Sequence, residues 1–215
     1  MRIFCKKLAS ATCLAFLLIG TISAKADVVR KPELSSEQSN EISQPAIDDR
    51  SSAVRSNEEL DKLFEQLRKQ IKKPQAQATA NKIWREWFQS GSASINMLMR
   101  FANRATDEKN YPAAIDLLDQ ITTLAPEYAE GWNRRATVHF HMGDFSRSLA
   151  DIETTLRLEP RHFGSLSGLA AILQRLNREE DALTAWYKVL EIYPANDLAQ
   201  KAVIKLEEEL AGNRT

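Results

Sequence analysis

Cysteine, histidine and glycine are all scarce in this 215-residue chain, and each scarcity removes a class of function. Its two cysteines, Cys5 and Cys13, both lie in the first thirteen residues. Everything after them is without a thiol nucleophile, a disulfide framework or a cysteine-ligated zinc site. Seven glycines provide no Gly-rich phosphate loop, and no GxSxG elbow occurs. Of the three histidines, His162 stands alone after Pro160-Arg161, while His139 and His141 are two residues apart. In a helix that spacing turns through about 200°, so the pair cannot chelate one ion. The one long apolar run, "LASATCLAFLLIGTI", has fifteen residues, short of the ~20 that a spanning helix needs. No catalytic, cofactor-binding or metal-binding residue is therefore expected, and no enzyme.

What is present begins with an address. Arg2, Lys6 and Lys7 precede that run, and Ala24-Lys25-Ala26 follows it as a small-x-small cleavage site. Residues 1–26 read as a secretory signal peptide, which predicts an exported, periplasmic protein with no membrane span after cleavage. Cleavage removes four basic and no acidic side chains, so equal numbers of acidic and basic residues become a surplus of about four negative charges. A mildly acidic exported protein is not expected to bind nucleic acid. Residues 27–56 are rich in Ser, Glu, Gln, Asp and Pro without an aromatic, the composition of a flexible linker.

Ser56 with Glu59 forms a capping-box start, and Leu60, Leu63, Phe64, Leu67 and Ile71 recur at helical spacing up to Lys73-Pro74. A second helix is expected through "ATANKIWREWFQ", ending near Gly91. Beyond it a period appears. Pro126, Pro160 and Pro194 are spaced by 34 residues in the frames "ITTLAP", "TTLRLEP" and "KVLEIYP". Twelve residues before each Pro stand Ala114, Ser148 and Ala182, and 24 before stand Ala102, Ala136 and Ala170. One small residue on each of two helices lets an antiparallel pair approach closely.

Residues 129–162, with Trp132, Ala136, Gly143-Asp144-Phe145, Ser148 and Pro160, resemble the tetratricopeptide repeat. Residues 95–128 and 163–196 resemble it more loosely; Arg135 replaces an apolar residue, Ser148 an alanine and Lys109 a turn glycine. The frame carried upstream places residues 57–94 as a degenerate hairpin, an N-terminal cap in which Arg68 replaces the small residue and Ser92 the Pro; the rival is an unrelated hairpin docked on the array. Residues 197–211, with Leu198, Ala202, Val203, Leu206 and Leu210 backed by charge, form a capping helix. The expected fold is thus an all-α solenoid of helix pairs.

The resemblance implies that the first helices line a concave groove for extended peptides or partner helices. First-helix positions off the packing stripe are Lys62 and Lys69, then Arg100 and Asn103, then Asn133, Arg134, Thr137, Phe140 and His141, and finally Gln174 and Arg175. Basic and hydrogen-bonding on an acidic chain, they suit an acidic or C-terminal segment of a protein partner. The Lys/Asn/Arg clamp by which some members hold a chaperone's C-terminal carboxylate is not reproduced. Arg135 is expected to free its head to solvent, His139 to pack with Ala136, and Trp84 and Trp87 to be core. A non-catalytic interaction scaffold is the reading. An accessory subunit of an envelope-metabolism enzyme and an envelope component oligomerising through the N-terminal hairpin are its alternatives.

Overall fold

The computed structural model describes residues 49–212; the expected signal segment and linker residues 27–48 lie outside them. The described residues form nine helices and no strand: α1 (Asp49–Lys69), α2 (Lys73–Trp87), α3 (Ala93–Asp107), α4 (Tyr111–Leu124), α5 (Ala129–His141), α6 (Phe145–Leu158), α7 (Phe163–Arg175), α8 (Glu179–Ile192) and α9 (Asp197–Gly212). None of these is long and apolar enough to cross a membrane. α1 begins seven residues upstream of the expected Ser56 start, which places Ser56 inside the helix and shortens the linker. It also ends at Lys69, leaving Ile71 outside it and 88% exposed; Pro74 opens α2, where its missing N–H costs nothing.

Three antiparallel pairs, α3–α4, α5–α6 and α7–α8, repeat one plan. Ala102, Ala136 and Ala170 face Ala114, Ser148 and Ala182, and all six are buried. Ser148 stands where alanine is usual because its hydroxyl donates to the Ala136 carbonyl at 2.8 Å across the pair, satisfying itself in the tightest place. Each pair turns through a residue in the left-handed region, Lys109 (φ 59°), Gly143 (φ 76°) and Asn177 (φ 54°). After each, an amide returns to the first helix, Asn110 to Ala105, Asp144 to His139 and Arg178 to Leu173. Asn110 and Asp144 then accept from the amides three residues on, capping α4 and α6. α9 closes the last pair with Ala199, Val203 and Leu206 inward.

The α1–α2 hairpin does not stack on α3 as an N-terminal cap would. Leu63, Phe64, Leu67, Ile83 and Trp87 share a core with Phe163, Leu166 and Ala170 of α7 and with residues of α8 and α9, and no residue of that core comes from α3 or α4. Aromatic surface decides the matter. Trp84 and Trp87 meet Phe163 at ring-centroid distances of 5.4 and 5.0 Å, and Phe163 meets Tyr193. Arg161 stacks over Phe64 at 4.2 Å and pairs with Asp61 at 2.6 Å, while Lys73 pairs with Asp197. Lys201, through a further pair on α9, and after it Lys73 hold the Asp197 carboxyl down at about 2. Burying several aromatic side chains at ~1.5–3 kcal/mol each favours this seat over α3, whose outward positions set Met97 and Phe101 among Arg100 and Arg104.

Candidate functional site

Where the hairpin meets α5 and α7, a polar cluster forms around two side chains sealed from water. Glu130 and His162 are 1% and 0% exposed. The His162 Nδ1 accepts from the Ser165 amide at 3.1 Å, capping α7, so its Nε2 carries the proton and donates to Glu130 Oε2 at 3.1 Å. Glu130 also accepts from Asn133 at 2.9 Å and from Arg134 Nε at 2.6 Å. Trp87 lies flat on the imidazole at 4.0 Å, and Arg134 is covered by Phe88 at 4.6 Å and Trp84 at 5.7 Å. Burial first, and Glu130 second, raises the neighbouring Tyr128 phenol far above its ordinary value. The cluster is not a nucleophilic triad, because the Ser165 hydroxyl donates to Asn133 Oδ1 at 2.8 Å and not to the imidazole.

Beside the cluster, α5 and α7 stand apart over α6 and enclose a cleft of about 230 Å³. Its floor is Ala136, Ser148 and Ile152; the α7 wall is Gly164, Gly168 and Ala171; the α5 wall is Asn133, Thr137, Phe140 and His141. Phe140 then forms the edge of a second, more open cleft that runs past Ala171, Gln174 and Arg175 to Lys205 and Glu209 of α9. Arg175 lies over Phe140 at 5.1 Å, and His141 is exposed and stacked on Tyr111 at 6.0 Å.

The structure brings Asn133, Thr137, Phe140, His141, Gln174 and Arg175 together along the two adjoining clefts. It uses several of them up on the way. Both ends of the Asn133 amide are engaged, Thr137 donates to the Asn133 carbonyl, and Gln174 accepts from the Trp186 indole. Arg134 is turned from the cleft onto Glu130 and under the hairpin aromatics. Arg100 and Asn103 lie on α3, the first helix next to α5, outside the two clefts, and Lys62 and Lys69 are exposed on α1, whose partners are α2 and α8. Sequence reasoning missed the α7 wall. Its signal is legible afterwards: Gly164 and Gly168, two of the chain's seven glycines, stand 34 residues after Glu130 and Arg134.

On the opposite side of α5, Arg135 also departs from expectation. Its head is not in solvent but makes two bonds to Asp151 at 2.9 and 2.8 Å, with Asp119 at 2.7 Å and Thr122 at 3.0 Å, and lies over Trp132 at 4.7 Å. The hydrogen bonds to Asp151 raise its pKa further. Next to it His139 is buried, as expected, and burial lowers its pKa against the pull of Asp151. Trp84 and Trp87 are core, though the core is that of the third repeat.

Comparison with known proteins returns one architecture. Residues 133–197 match the tetratricopeptide repeat family. A TPR repeat-containing protein of Rhizobium etli is 48% identical over 169 residues, covering 79% of this chain and 83% of that protein. The small glutamine-rich tetratricopeptide repeat-containing protein 2 of Mycosarcoma maydis is 24% identical over 121 residues, 56% of this chain and 34% of that one. Among solved structures, the first TPR of Spaghetti (RPAP3) bound to an HSP90 peptide superposes with a TM-score of 0.52 at 23% identity, over 54% of this chain and 93% of that one. The Sgt2 TPR domain of Aspergillus fumigatus gives 0.53 at 21% identity, over 58% and 84%.

Proposed function

Because the chain belongs to the tetratricopeptide repeat family, we propose that it is a non-catalytic interaction module that holds an extended segment of another protein across α5 and α7. The observation that carries this reading is the cleft. At about 230 Å³ it is smaller than the roughly 300–1,000 Å³ of a small-molecule site, and its size suits one apolar side chain of a peptide. The apolar floor takes that side chain, and Arg175 and His141 at the rim favour a carboxylate on either side of it. A structural neighbour was solved with an HSP90 peptide, which supports the choice of a peptide guest. The guest here differs in kind from a clamped terminal carboxylate, since the α7 wall offers Gly164 and Gly168 and no cation before Arg175. We place this module outside the cytoplasm on the strength of residues 1–26.

Peptide-display selection against the full-length chain, followed by calorimetry on Gly168→Leu, tests the reading. A Cβ at Gly168 meets only Ile152 Cδ1 at 3.5 Å, ordinary contact, so the larger leucine fills the cleft without disturbing the backbone. Selected peptides should share an apolar residue flanked by acids and should bind the variant at least about tenfold more weakly, roughly 1.4 kcal/mol. Equal affinity for wild type and variant would remove the cleft from consideration. N-terminal sequencing of the protein from a fractionated cell should begin at Asp27 in the exported fraction; intact residues 1–26 in the cytosol would overturn the placement.

A further inference from the structure

Three positions on the first helix of each repeat look back at the repeat before it. In α5 they are Gly131, Arg135 and Val138. Gly131 lies so near α4 that a Cβ there would meet Ile121 Cγ2 at 2.9 Å, Arg135 reaches Asp119 and Thr122 of α4, and Val138 is buried in the α3–α4 core. The corresponding residues of α7 include Ser165, buried and bonded to Asn133 of α5, and Ile172, fully buried against Ala136 and Ile152. In α3 the same three positions hold Met97, Phe101 and Arg104. Met97 and Phe101 are 44% and 46% exposed, and Arg104 is exposed with them. The hairpin that precedes α3 in the chain buries its core on α7, α8 and α9, and Phe88 just after α2 packs on the α3–α4 core.

A face laid out for packing is therefore left half-exposed by the described residues at the start of the array, and the repeats show what fits it. Each equivalent face, on α5 and on α7, is covered by the preceding pair, chiefly by its second helix. On α5 the covering helix supplies Asp119 to the arginine at the face. Arg100 and Arg104 have no carboxylate within ion-pairing distance among the described residues. A second copy meeting this face with its own would set these arginines against each other. We infer that the outer face of α3 is a docking surface for an acidic amphipathic helix of a different protein, which lies on Met97 and Phe101 and pairs with Arg100 and Arg104. This surface is separate from the cleft between α5 and α7.

The chain's methionines make the test direct. Met97 lies on the face, Met99 is buried behind it, and Met142 is at the far end of α5. The probe is a synthetic peptide of residues 111–124, the helix that covers α5, held helical by a staple between its outward positions 120 and 124. Titrated into full-length protein carrying methyl-labelled methionine, it should shift Met97 and leave Met142 in place. Phe101→Glu, which alters an exposed residue, should weaken binding roughly tenfold or more while the Met99 signal stays put. A peptide with Asp116→Lys and Asp119→Lys should fail on wild type and bind the Arg100→Glu, Arg104→Glu protein. No Met97 shift, or equal shifts in wild type and Phe101→Glu, overturns the inference. So does a dimer in sedimentation that Phe101→Glu dissolves, since a second copy then covers the face.

Discussion

Glu130 on α5 and Gly164 on α7 occupy the same place in the repeat, 34 residues apart, one a fully buried carboxylate and the other without a side chain. The frame itself asks nothing of this position, because the close helix contacts are made elsewhere, at 102, 136 and 170 and at 114, 148 and 182. Both residues nevertheless serve one contact. Glu130 holds the protonated edge of His162 from one side, and Gly164 admits Trp84 from the other, with His162 and Trp87 stacked between. A position free of scaffold duty in each repeat has become the seat on which the hairpin rests. The pair teaches that what a repeat does is settled at the positions its period leaves open.

Glu130→Ala breaks the comparison on its polar side and carries the largest expected effect. Removing the carboxylate leaves the His162 Nε2 proton and the Asn133 amide without an acceptor in a dry site; Arg134, 29% exposed, can turn to water. Breaking a buried pair by deleting one partner costs about 3–5 kcal/mol, and the partial escape of Arg134 sets this case near 3. Urea unfolding at neutral pH reads it, and a loss below about 1 kcal/mol would show that the cluster is not what anchors the hairpin.

Gly164→Ala breaks the same seat from its apolar side. An added Cβ would lie 2.6 Å from Trp84 Cη2 and 2.9 Å from Cζ2, and that ring is held edge-on by His162 and Phe163, both at 5.4 Å. Displacing it costs roughly 1–3 kcal/mol. The sign is diagnostic, because on an uncovered helix the same substitution would stabilise by up to about 1 kcal/mol. Hydrogen exchange should quicken first in α1 and α2 and only later in α3–α6; uniform quickening, or a more stable protein, would mean that Trp84 does not rest there.

The scaffold was legible because it depends on spacing. Small residues and prolines at a fixed interval announce close pairs and turns whatever lies between them, and Ala136, Ser148 and Pro160 could be assigned without knowing any neighbour. The row Phe140, His141 and Arg175 followed by subtracting the packing stripe from each first helix. What escaped depends on residues far apart in the chain. Whether Arg134 faces a cleft or Glu130, and whether Arg135 keeps its head in water or sets it between Asp119 and Asp151, turns on charges that periodicity does not see. The hairpin has one strong apolar face and two candidate landing sites. Choosing between them required knowing that Phe163, His162 and Tyr193 come together around a glycine.

The smallest effect sharpens the comparison at the turns, where three repeats give three answers to one backbone demand. Gly143 meets the left-handed conformation at φ 76° freely, Asn177 tolerates it at φ 54°, and Lys109 is forced into it at φ 59°. A left-handed L-residue costs roughly 1–2 kcal/mol, while glycine gives back about 0.5–1 in unfolded-chain entropy. Lys109→Gly should therefore stabilise by about 0.5–1 kcal/mol, and Gly143→Ala should destabilise by about 1. The exposed Lys109 side chain makes no ion pair among the described residues, so nothing else is lost in the exchange. Thermal unfolding of the two variants side by side decides it: if Lys109→Gly lowers the midpoint, the first turn is not strained and the lysine holds a contact that its φ angle does not explain.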